Sequence, residues 1–259
     1  MGNIPITVVS HNANFYAREV RENRPFSLVR YGAGEWYRIV PNLPEWRKRT
    51  GPDWQVSRPL WTLWTHSWCA PILRAGMVNA HHHPRYWTAI WQIDGLKRKG
   101  QLEHVMKFIV ETGHGDRAWH HGGMWQKAVK GNGMRAMVEA LREQPLPLVL
   151  IGPHHLAPLT RLLPIHTHIP SSLELSPVRD LPFLRERVFN CPRPAIYMFS
   201  ISGIGKTITQ HLFPAIGEES FMIDFGAAWD GYCGVVSRGY HQGVGKAEIE
   251  ATFGERRYE

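Results

Sequence analysis

The chain has 259 residues, 43% of them apolar, enough material for the core of one large α/β domain and too much for a disordered protein. No window approaches the roughly 18 consecutive apolar residues of a membrane-spanning helix, and residues 1–10 lack the basic and apolar regions of a signal peptide. A net charge of +8 favours a polyanionic partner, whether nucleic acid, an anionic surface or a phosphorylated substrate.

Cys69, Cys191 and Cys233 are odd in number and far apart. They make neither a disulfide framework nor a metal knuckle, which fits a cytoplasmic location. Eleven tryptophans is a high count. Trp54, Trp61, Trp64, Trp68, Trp87 and Trp91 fall in one stretch, where they either pack together or stack on bases or sugars.

In chain order, the first clear element is a buried strand over Phe26–Tyr31, running into Gly32, Ala33 and Gly34 and then an amphipathic run from Glu35 to about Val40. Prolines at 42, 44, 52 and 59 make 41–68 irregular. Residues 70–113 read as mostly helical, with a break at Pro84 and a short strand at Val105–Val110. Helical spacing returns at Met134–Glu143. The apolar run Leu146–Ile151 reads as a buried parallel strand ending at Gly152, followed by a helix near Leu156–Leu163. An extended piece at Thr167–Pro170 and a helix near Leu181–Val188 come next. Ala195–Ser200 reads as a strand entering a helix to about Leu212, and Phe221–Phe225 as the last strand, before a helix near Ala227. Strand, loop and helix repeating in this way predict an α/β fold, a single Rossmann-like domain over 1–259 with a mostly parallel sheet flanked by helices. A Trp- and His-rich helical insertion is expected at about 41–125.

Ligands of such sheets sit beyond the carboxyl ends of the strands. The glycine turn Ser202-Gly203-Ile204-Gly205-Lys206-Thr207 is placed to aim backbone N–H groups and a lysine at a diphosphate. It departs from a P-loop, which needs glycine where Ser200 stands, and only about 50 residues follow it. Asp224 at a strand end and Asp230 six residues on suit a metal, a ribose or an acceptor hydroxyl, or else cap a helix. The His81–His83, His120-His121, His154-His155 and His166/His168 groups match no zinc spacing.

The segment Phe26-Ser27-Leu28-Val29-Arg30-Tyr31-Gly32-Ala33-Gly34-Glu35-Trp36 resembles the opening motif of GT-D glycosyltransferases, Arg-Phe/Tyr-Gly-Asp-Gly-Glu. The likeness continues in order through Val149–Leu156, His166–Pro170, Phe199–Lys206, Ile223–Gly226, Trp229-Asp230 and Arg238–Tyr240, so it spans roughly 26–240. It implies a transferase that takes a sugar from a nucleotide-sugar diphosphate, with a UDP-sugar favoured. Arg30, Gly32, Gly34, Gly152, Gly203, Gly205, Lys206 and Arg238 are the implied donor-binding positions. Glu35, Asp224, Asp230 and His154 are the implied catalytic candidates, and Glu35 with Asp224 the candidate ligands for Mn²⁺ or Mg²⁺. The motif's first carboxylate is replaced by Ala33, which leaves metal dependence open. Sequences of this kind also occur in bacteriophages, where such enzymes decorate hydroxymethylated pyrimidines. The resemblance together with the charge therefore points to DNA as the acceptor. A glycan or glycoprotein acceptor, a DNA-binding module of the same fold without activity, and a P-loop kinase are the competing readings.

Overall fold

The computed structural model describes residues 6–32, 35–36, 39–40, 71–90, 93–98, 100–131, 133–171 and 177–254. Ala33, Gly34, Cys69 and the tryptophans at 54, 61, 64, 68 and 91 lie outside them, as does all of the expected insertion before residue 71.

Among the described residues eight strands form one sheet: β1 (Val8–Val9), β2 (Ser27–Tyr31), β3 (Tyr86–Ile90), β4 (Trp119–His121), β5 (Leu148–Gly152), β6 (Ile165–Pro170), β7 (Ile196–Phe199) and β8 (Phe221–Asp224). Their order across the sheet is β1-β4-β3-β2-β8-β7-β5-β6, and every pairing is parallel. The α/β architecture read from the sequence is the one observed.

Alternation along each strand feeds two cores. Leu28, Leu150, Met198 and Ile223 join one face with α1 (Ala13–Arg21) and α5 (Met134–Glu143). Val29, Ile151, Tyr197 and Met222 join the other, with α3 (Leu102–Glu111), α6 (Pro177–Phe189) and α7 (Ser202–Ile216). Both faces are covered, which is why β2, β5, β7 and β8 are buried along their whole length. Further helices are α2 (Ile93–Arg98), α4 (Met124–Lys130) and α8 (Lys246–Phe253). Among the described residues no helix is long and apolar enough to cross a membrane.

Local chemistry accounts for several elements and corrects others. Asn12 caps α1 by accepting from Phe15 N at 3.2 Å, and Ala13, Tyr16, Ala17 and Val20 give that helix its buried stripe. The segment expected to be a strand at Val105–Val110 lies inside α3, because Val105, Phe108 and Ile109 share one helical face while Val110 is exposed. The stretch around Tyr86, read as helical, is instead strand β3. The helix expected at Leu156–Leu163 is a 3₁₀ segment, His154–Arg161. No regular helix starts at Ala227; a turn leads into a short 3₁₀ segment, Gly231–Cys233.

The strand order places β2 beside β8 at the centre. From β2 the chain moves outward through β3 and β4 on one side, and it returns through β7 to β8 on the other. The crevice at such a reversal, beyond the strand carboxyl ends, is the ligand position of open α/β sheets.

Candidate active site

A cleft of about 150 Å³ lies at that reversal, lined by residues from the ends of β2, β5, β7 and β8 and the turns after them. Its floor is a buried group of four ionisable side chains. Lys206, in the second turn of α7, places Nζ 3.3 Å from Glu35 Oε1 and 3.2 Å from Asp224 Oδ2. The Arg30 backbone N–H donates to Asp224 Oδ2 at 3.1 Å, and Nη2 sits 3.5 Å from Asp224 Oδ1. The same guanidinium donates through Nε to the Asp224 carbonyl at 2.8 Å and through Nη1 to the Gly122 carbonyl at 3.2 Å. Gly32 N–H donates to Glu35 Oε2 at 3.0 Å, and the Gly32 carbonyl accepts from Glu35 and Trp36 N–H groups, so the turn after β2 holds the carboxylate inward.

Side-chain exposure is 4% for Lys206, 5% for Asp224 and 6% for Arg30, so these charges act in a medium where water screens them little. Burial alone would lower the Lys206 pKa, but the Asp224 and Glu35 carboxylates outweigh it and hold it above the ordinary lysine range. Burial would raise Asp224, and Lys206 followed by Arg30 more than reverses this, so its carboxyl lies below the usual range.

A second network forms the upper wall. Asp230 Oδ1 lies 3.1 Å from His155 Nε2, and Ser237 Oγ donates to Asp230 Oδ2. His241 Nδ1 is 3.5 Å from Ser237 Oγ and 3.2 Å from Arg238 N, which donates to it. Arg238 is exposed at the cleft mouth. Ser200, at the end of β7, is buried and lines the cleft, and its Oγ has no hydrogen-bond partner among the described residues. An orphaned buried hydroxyl in a cleft wall is the kind of group a ligand satisfies.

No protein-family model and no curated protein matches the sequence. Solved structures do match. Two structures of the domain of unknown function 1792 (DUF1792) align over 96% of this chain and 95% of their own, at 9% identity, with TM-scores of 0.54 and 0.57. The second is described as a highly conserved domain with a distinct glycosyltransferase fold. A third, described as a new DUF1792 glycosyltransferase from Streptococcus sanguinis, aligns over 88% of this chain and 84% of its own, with a TM-score of 0.55 and 13% identity. The chain has the DUF1792 fold.

Within this DUF1792 fold, Arg30, Glu35, Lys206, Asp224, Asp230 and Arg238 all line one cleft. Gly32 orients Glu35 from behind. Gly34 lies outside the described residues. Three other glycines serve close packing. A Cβ on Gly203 would stand 2.5 Å from a Leu73 methyl group, one on Gly205 would stand 3.2 Å from Ile201, and one on Gly152 would stand 2.8 Å from Leu156. Gly203, Gly205 and Lys206 belong to the first turns of α7 rather than to a free loop.

His154 is exposed and does not line the cleft; His155 takes that place. Asp230 makes no capping bond to the 3₁₀ segment after it, and its carboxylate serves His155 and Ser237 instead. Sequence reasoning placed Ser200 and Gly226 at strand ends without giving either a role in the site, and it passed over Ser237. Gly226 has φ +57°, and a Cβ there would stand 2.3 Å from Arg30 Nη2. The glycine directly after the last strand was the available signal.

Other histidines are engaged elsewhere. His81 bonds the Gln210 carbonyl at 2.7 Å, and buried His120 bonds the Tyr16 hydroxyl at 2.8 Å. Among the described residues no group of three His, Cys, Asp or Glu is arranged to hold a metal. Glu35 and Asp224 do come together as the expected ligand pair, but all four of their carboxylate oxygens already face protein donors. That donor set does not fit a divalent ion.

Proposed function

We propose that the chain is a glycosyltransferase that takes its sugar from a nucleotide-sugar diphosphate, with a UDP-sugar favoured, and acts in the cytoplasm on a hydroxymethylated pyrimidine of DNA. The observation that carries the transferase reading is the pair of buried cations, Lys206 and Arg30, beneath a cleft at the strand reversal of a fold shared with DUF1792. The donor diphosphate would lie over Lys206, with Arg238 at the mouth and Ser200 Oγ as a further donor. Positive charge fixed in a dry site stabilises the charge that develops on the leaving diphosphate.

The acceptor oxygen would bond to the anomeric carbon as the bond from that carbon to the diphosphate oxygen breaks. The acceptor proton would pass to the Asp230–His155 pair, which replaces His154 as the candidate base. The net charge of +8 supports DNA as the acceptor through its phosphates.

The test is a transfer assay on duplex DNA containing 5-hydroxymethylcytosine, with a panel of nucleotide sugars, read by mass spectrometry of the nucleosides. A hexose adduct is expected, and Asp230→Asn is expected to reduce its rate by about 10²-fold or more with the fold intact. Transfer to a glycan with none to DNA would remove DNA as the acceptor. Donor binding without transfer to any acceptor, or salt-sensitive DNA binding with no donor binding, would overturn the enzyme.

A further inference from the structure

We propose that the Lys206 ammonium is the resident cation of the cleft, so that the chain engages its diphosphate ligand without a divalent metal. The identity of the ligand rests on the reading above; the occupancy of the cation position does not.

The four carboxylate oxygens carry the argument. Asp224 Oδ1 faces Arg30 Nη2, Asp224 Oδ2 takes Arg30 N and Lys206 Nζ, Glu35 Oε1 takes Lys206 Nζ, and Glu35 Oε2 takes Gly32 N. Nζ is almost equidistant from the two carboxylates, at 3.3 and 3.2 Å. A divalent ion bridging those oxygens at the usual ~2.0–2.6 Å would have to share its space with a positive charge. The lysine is also held there. It is buried, and its neighbour Gly205 packs α7 so closely on Phe199 and Ile201 that a Cβ would stand 3.3 and 3.2 Å from them. The fixed helix and the two ion pairs together hold Nζ between the carboxylates.

In the transfer step the electron pair of the broken bond goes to the diphosphate oxygen. Lys206 meets that charge as an ammonium and gives up no proton. Asp224 and Glu35, which hold its pKa above the ordinary lysine value, keep it charged.

Two titrations decide the matter. Manganese binding to the wild-type chain is read from the electron paramagnetic resonance signal of the free ion. No stoichiometric binding is expected up to about 1 mM, the weak end of protein sites for hard cations. Lys206→Met keeps an unbranched chain as far as Cε and removes the ammonium, and is expected to tighten manganese binding by about tenfold or more. UDP binding, measured by calorimetry in EDTA and again in Mn²⁺, is expected to differ by less than about twofold in the wild type.

One equivalent of Mn²⁺ bound by the wild type and lost in Glu35→Gln would overturn the proposal. So would UDP binding that collapses in EDTA. If no nucleoside diphosphate binds in either buffer, the donor reading fails, while the manganese titration of the wild type still decides the cation. That titration needs no variant to fold.

Discussion

Asp224 and Lys206 are tied by one contact and shifted in opposite directions, and each shift is a statement about stability. Asp224 titrates below its ordinary 3.8, so its contribution is complete above that pH and is lost as pH falls through the folded-state value. Lys206 titrates above its ordinary 10.5, so its contribution is complete below that pH and is lost as pH rises further. Between these limits the pair is fully formed. Urea unfolding followed from pH 6 downward is therefore expected to show an acid limb that Asp224→Asn flattens. At pH 7 the same change is expected to cost about 3 kcal/mol, because it leaves two buried cations with reduced compensation. A wild-type acid limb no steeper than that of the variant would contradict this account. Arg30 is fixed in the same way: Gly226 in the left-handed region leaves room for its guanidinium, and any other residue there would meet Nη2.

Helices and strands were legible to different degrees. β2, β5, β7 and β8 are buried on both faces, so their continuous apolar runs stand out in the chain. α3 misled because its Val-, Phe- and Ile-rich run has strand composition; the exposure of Lys107 and Val110 beside buried Val105, Phe108 and Ile109 separates the two periods. α1 mixes charged residues among its apolar ones, with its buried stripe spread over Ala13, Tyr16, Ala17 and Val20, and was not legible. The cleft was legible as a set of strand ends but not as a set of pairs. Arg30 and Asp224 are 194 residues apart, and nothing in the sequence says that Lys206 stands between Asp224 and Glu35. The choice of His155 over His154 depends on how the 3₁₀ segment begins, which spacing does not reveal.

Arg142 on α5 is a further long-range link of this kind. Its guanidinium donates to the Phe253 carbonyl at 2.6 Å and the Leu162 carbonyl at 2.7 Å, tying α8 and the 3₁₀ segment to one helix. Arg142→Leu is expected to cost about 1.5–3 kcal/mol and to speed amide exchange across α8 before the rest of the chain. Unchanged exchange in α8 would show that this tie is not what holds it.

At the scale of the whole molecule, the sheet reversal, the two cores and the cleft are one construction. Helices on both faces bury the sheet, the central strands end together, and α7 delivers Lys206 to their carboxyl ends. Under the function proposed above, this cleft, floored by Lys206 and Arg30 with their paired carboxylates, is where a leaving diphosphate would be met. Thermal unfolding of the intact chain with UDP-, GDP- and ADP-sugars and ATP, each with EDTA or Mn²⁺, tests that claim most directly. A ligand at 100 times its dissociation constant adds about 2.7 kcal/mol, an easily read shift. One class of nucleotide sugar is expected to stabilise the chain equally in both buffers, and Lys206→Met is expected to lose the shift in EDTA. Stabilisation by ATP alone, or by no nucleotide at millimolar concentration, would contradict the account.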